Sequence, residues 1–130
     1  MQLQDLKSQL TLVFPVRIDC EERRENLRVV LRQLDGLGCR MLVLEADAVP
    51  ALGEEAWPDG VEYTFVEDAS KVFHRTRYIN ELLRMAGTEV VGVWDTDVLV
   101  GYAQIGEAVQ RILEAVSYTH LRAHETDSYL

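Results

Sequence analysis

The sequence predicts an α/β protein, a Rossmann-like and mostly parallel sheet with flanking helices. Four short apolar, β-rich runs occupy residues 10–16, 41–44, 61–66 and 89–94. Helical patterns separate the first run from the second and the third from the fourth, as in βαβ units. The first run does not alternate apolar with polar, so it suits a strand buried on both faces, as in a parallel sheet. The chain has 130 residues, 48% of them apolar, enough for one domain with a real core.

Each element has a local reason. LTLVFPV (10–16) is the first strand, with Pro15 near its end, where a missing N–H matters least. A helix comes next, on Leu27, Val30, Leu31 and Leu34. Asp19 is its expected cap, Glu21 and Glu22 suit its first turn, and Gly36 and Gly38 stop it. The second strand ends in Glu45. Pro50, Gly53, Pro58 and Gly60 mark 48–60 as a loop, and the third strand ends in Glu67-Asp68. Ser70 is the expected cap of a helix reaching Ala86, with a stripe of Val72, Tyr78, Ile79, Leu82 and Leu83; Gly87 ends it. The fourth strand runs into Asp95-Thr96-Asp97. A last amphipathic helix covers 104–115 through Ile105, Ala108, Val109, Ile112 and Leu113. The start, 1–9, is polar and carries no apolar leader segment.

Composition narrows the function. Twenty-two Asp and Glu stand against thirteen Lys and Arg, a net charge of −9, with no basic block to hold a nucleic-acid backbone. A nucleotide ligand stays open, because a divalent cation bridges carboxylates to a diphosphate. No apolar run nears the ~20 residues of a membrane span. Cys20 and Cys39 read as reduced thiols, and the expected location is cytoplasmic, with peripheral membrane association compatible.

Ligands on parallel sheets sit at the carboxyl ends of the strands. The polar residues there are Arg17 and Asp19, Glu45, Glu67 and Asp68, and Asp95 and Asp97. The two carboxylates of DTD suit one Mg²⁺ or Mn²⁺, a hard cation that takes oxygen ligands and also holds phosphate. In an extended stretch, alternation would put both on one side. A solvated turn is the plainer reading. FHRTRYIN (73–80) gathers Lys71, His74, Arg75 and Arg77 into one basic group; Arg is the natural partner of phosphate oxygens, and an exposed helix face is the plainer reading. Arg17 in PVRID (15–19) could reach a base or phosphate, or belong to an ordinary loop.

In series, PVRID, FHRTRYIN and VVGVWDTDVL resemble the nucleotide-sugar-binding half of GT-A glycosyltransferases of the family-2-like group. The β-1,4-galactosyltransferase relatives carry P-F-R-N-R, F-N-R-A-K-L-L-N and D-V-D in the same order. The resemblance covers about residues 10–113. It implies a metal-dependent hexosyltransferase using a nucleotide diphosphate sugar, a UDP-sugar by preference, and a carbohydrate acceptor. Asp97 would be the metal ligand, and Asp95 would meet the ribose, the sugar or the metal. Arg17 would lie near the uracil and phosphates, Arg75 would meet the donor, and Asn80 would be structural. Asp19 stands where the family has its second Arg, a departure at the base contact. Glu45 and Asp68 would lie near the base. The family's catalytic base comes after the D-x-D half, so no catalytic residue is assigned, and this polypeptide is expected to be a donor-binding half, inactive alone.

The last fifteen residues, VSYTHLRAHETDSYL, resemble translated sequencing adapter. Residues 1–115 then form a truncated nucleotide-sugar-binding domain and 116–130 a non-native tail. His120 and His124 have an i, i+4 spacing but lack the Glu of H-E-x-x-H, so no metal site is assigned to them. Two other readings compete. DTD also resembles the opening motif of haloacid-dehalogenase-like phosphohydrolases, where the first Asp is a nucleophile. Size and acidity also fit a receiver-like signalling module.

Overall fold

The computed structural model describes residues 3–126, with side chains over 5–116. Its eight elements are, in order, α1 (Leu3–Gln9), β1 (Leu10–Val16), α2 (Glu21–Asp35), β2 (Arg40–Asp47), β3 (Val61–Glu67), α3 (Arg75–Ala86), β4 (Val90–Val93) and α4 (Tyr102–Thr126). The four strands form one sheet in the order β3-β2-β1-β4, and every pairing is parallel. The expected α/β, Rossmann-like sheet with flanking helices is what forms.

Alternation along the strands divides the core. Leu10, Leu12, Phe14 and Val16 of β1, with Met41 and Val43 of β2, pack against Leu6 of α1, Leu27, Val30, Leu31 and Leu34 of α2, and Ile105 and Val109 of α4. Val13, Leu42, Leu44 and Ala46 face the other way, onto Tyr78 and Leu82 of α3. Removing one such aliphatic side chain costs about 2–5 kcal/mol. Backbones approach closely where side chains are missing. A Cβ on Gly36 would collide with the Tyr102 hydroxyl, which donates to the Gln33 carbonyl. At the opposite edge from the carboxyl ends, buried Thr11 donates to the Ala86 carbonyl at 3.1 Å and tethers the end of α3. Cys20 is exposed and Cys39 buried, both free, and burial pushes the Cys39 thiol up to about 11.

Several elements differ from expectation. The polar start folds as α1, anchored by fully buried Leu6. The cap of α2 is Cys20, not Asp19, and it makes no side-chain capping bond; Asp19 pairs instead with Arg23 at 3.0 Å. Gly38, at φ 73°, takes the left-handed turn after α2, whereas Gly36 stays right-handed. Ser70 caps nothing. α3 begins five residues later with His74 at its cap, and Val72 is 66% exposed. Residues 68–74 are irregular, and the carbonyls of Asp68 and Ser70 are taken by the Arg17 side chain, which lies just past β1. α4 runs without a break from Tyr102 through position 115 to Thr126. The side chains of His120 and His124, and residues 127–130 of the tail, lie outside the described residues. Among the described residues no helix is long and apolar enough to cross a membrane.

Candidate functional site

β1 is the strand at which the chain's direction of travel reverses. β2 and β3 lie to one side of it, and β4 to the other. β1 leads into α2 on one face of the sheet and β3 into α3 on the other, and a crevice opens at the carboxyl ends of β1 and β4. It is a cleft of about 440 Å³ lined by Pro15, Val16, Arg17, Asp19, Cys20, Glu22, Arg23, Asn26, Phe73, Arg75, Asp95, Thr96 and Asp97. Five residues singled out from sequence meet there: Arg17, Asp19, Arg75, Asp95 and Asp97.

The charged centre is made by two elements. Arg75 opens α3, and Asp95 comes just after β4. The Arg75 Nη2 donates to Asp95 Oδ1 at 3.1 Å. Both side chains are about half exposed or more, at 49% and 63%, so the pair is screened and adds little stability. The carboxylates are not presented by an extended strand. β4 ends at Val93, Trp94 N–H still bonds the Val13 carbonyl at 2.9 Å, and the chain then turns, with Val98 N–H on the Asp95 carbonyl. The turn arises because β4 is only four residues long and Trp94 Nε1–H donates across it to the Val98 carbonyl at 2.9 Å. Asp97 is exposed and has no hydrogen-bond or ion-pair partner among the described residues.

Arg17 lines the cleft, but three of its N–H groups are spent on main chain. Nε donates to Ala46 O at 2.8 Å, Nη1 to Ser70 O at 2.7 Å and Nη2 to Asp68 O at 3.1 Å. Its guanidinium carbon lies 5.6 Å from the centre of the Phe73 ring.

Two expected base contacts are not brought to the cleft. Glu45 lies within β2, not at its end, and is fully buried. It shares a face with Met41 and Val43, and its carboxylate accepts from Ala51 N at 2.8 Å, Leu52 N at 3.1 Å and the Tyr63 hydroxyl at 2.6 Å. Burial and this carboxylate push the Tyr63 hydroxyl pKa up. Asp68 accepts from Ser70 N at 2.9 Å and from the Tyr78 hydroxyl. Those bonds, the Tyr78 hydroxyl first, hold its carboxyl below the usual carboxylate range, and Tyr78 is raised in turn. Asn80 is exposed on α3.

Sequence reasoning passed over Cys20, Glu22, Arg23, Asn26 and Phe73. The signal for the first four was available: the opening turns of the helix after the central strand face the crevice. The cleft is mixed in charge, with Arg17, Arg23 and Arg75 beside Asp19, Glu22, Asp95 and Asp97. Among the described residues no group of three or more His, Cys, Asp or Glu converges as a metal site. Asp97 and the second oxygen of Asp95 are hard oxygen donors. They suit a Mg²⁺- or Mn²⁺-like ion that fills its remaining positions from water and phosphate.

Fold and cleft together define an α/β protein with a polar crevice at the reversal point of a parallel sheet. No protein-family model matches the chain, and neither a curated protein nor a solved structure gives a match.

Proposed function

We propose that the cleft between β1 and β4 is the donor site of a metal-dependent, GT-A-like hexosyltransferase acting on a nucleotide diphosphate sugar, with a carbohydrate acceptor and a cytoplasmic setting. The observation that supports this most is Arg75 on Asp95 beside Asp97, which has no partner among the described residues, at the crevice where such sheets bind ligands. Arg75 would turn its guanidinium to diphosphate oxygens, where charge-assisted bonds are strong. Asp95 and Asp97 would hold Mn²⁺ or Mg²⁺, and the ion, when bound, supplies charge neutralisation for a departing diphosphate. None of the cleft carboxylates is assigned as the base for an acceptor hydroxyl. Donor binding without transfer is the activity proposed for this chain.

The strand order argues against a receiver-like module, whose first strand lies between the second and third; here β1 lies between β2 and β4. Titration calorimetry with UDP and Mn²⁺ tests the reading. Wild type should bind, Asp97→Ala should lose the Mn²⁺-dependent part, and Arg75→Gln should weaken binding at least about tenfold, the worth of one charge-assisted bond. Wild type giving no Mn²⁺-dependent heat overturns it.

A further inference from the structure

We infer that Arg17 is a positioning residue that fastens the 68–74 connection to the sheet and thereby places Arg75 in the cleft. The affinity part of this inference rests on the donor-site reading; the structural part does not.

The connection from β3 to α3 has no regular structure, and Arg75 is the residue at which it becomes helix. Arg17, just past β1, holds it. A guanidinium offers five N–H groups in a rigid plane. Three of them reach carbonyls on β2 and on the connection, at Ala46, Asp68 and Ser70. The same plane sits over the Phe73 ring, which stacks on Tyr78 at 5.6 Å and 25°. The grip thus runs from the first residue of the connection to the one before the helix cap. Beyond it, Arg75 N–H bonds the Phe73 carbonyl at 3.0 Å and the Arg75 side chain meets Asp95. A lysine cannot reproduce this, because its ammonium is a single point and cannot span three separated carbonyls. A direct phosphate contact, by contrast, would survive in part on charge alone.

Hydrogen–deuterium exchange of the ligand-free protein separates the two. Arg17→Lys should raise exchange across 68–75, where Asp68, Ser70 and Arg75 N–H are bonded, at least about tenfold, while β1 and β2 keep their protection. Phe73→Leu should raise it less, in the same segment, and serves if Arg17→Lys does not fold. In calorimetry with UDP and Mn²⁺, Arg17→Lys should weaken binding in the wild-type background and add nothing to Arg75→Gln. Unchanged exchange at 68–75 in both variants overturns the inference, as does equal loss of protection in β1 and β2. If wild type does not bind UDP with Mn²⁺, the donor reading fails and the exchange result alone decides the role of Arg17.

Discussion

The carboxyl edge of the sheet is built in two ways. On the β2–β3 side Glu45, Glu55 and Asp68 are held, while Glu67 at the end of β3 is exposed. Glu45 accepts three bonds, Glu55 meets Arg28 with both oxygens at 2.6 and 2.8 Å, and Asp68 is closed by Ser70 and Tyr78. On the β1–β4 side, Asp19, Asp95 and Asp97 are exposed, and their ion pairs are with similarly exposed arginines or absent among the described residues. The difference lies in the segment that leaves each strand. The 48–60 and 68–74 connections fold back and lend N–H groups to the nearest carboxylate. After β1 and β4 the next segments lend Asp19, Asp95 and Asp97 no backbone N–H among the described residues, and the carboxylates face solvent. A carboxylate near this edge is therefore held or left exposed according to whether a neighbouring segment lends it a donor.

The comparison breaks first at Glu45. Glu45→Ala strands two N–H groups and a hydroxyl in a buried place and should cost about 3–4 kcal/mol in urea unfolding. A loss under about 1 kcal/mol would dissolve the distinction.

Acid should act on the held side next. Arg28 keeps the Glu55 carboxyl low, and Tyr78 keeps Asp68 low. A carboxyl depressed in the folded state stabilises fully above its unfolded pKa, near 4. That share is lost as pH falls through and below the ordinary carboxylate range. Denaturation midpoints measured downward from about pH 6 should fall, and Asp68→Asn should make the fall shallower.

Smaller effects are expected on the open side. Arg75→Gln or Asp95→Asn should change stability by about 0.5 kcal/mol or less, as exposed pairs do, while both weaken binding of UDP with Mn²⁺. Asp97→Ala should leave the unfolding midpoint within error and remove the Mn²⁺-dependent heat, the sharpest separation of fold from site.

Much of the fold was legible. β1 falls where the unalternating LTLVFPV places it, and the other strands shift by no more than a few residues; β1 and β2 are buried on both faces and carry that in composition, whereas β3 and β4 at the sheet edges are only partly buried. α1 was not legible, since Leu6 is the one buried residue among those of 5–9 and makes no pattern by itself. The start of α3 was not legible either. Ser70 looks like a cap, but Arg17, fifty-three residues earlier, takes its carbonyl. Of the site, Arg17, Asp19, Arg75, Asp95 and Asp97 were readable from strand ends and motif order. Glu45 was misplaced because β2 continues to Asp47 and turns it under the 48–60 connection. Local pattern places a residue on an element, and long-range partners decide whether it is spent or free.

The parallel pairing of Leu10 with Val90 sets a timetable as well as a shape. The pairings of β1, β2 and β3 with one another need only residues through 67. The cleft needs β4 and its turn, some eighty residues after β1 begins. Pairing across that separation is slow, because a long loop must close before contacts repay it. By this separation, most of the sheet can pair before the cleft exists. Anything bound in the cleft would then act only on the last step of folding, the docking of β4 beside β1.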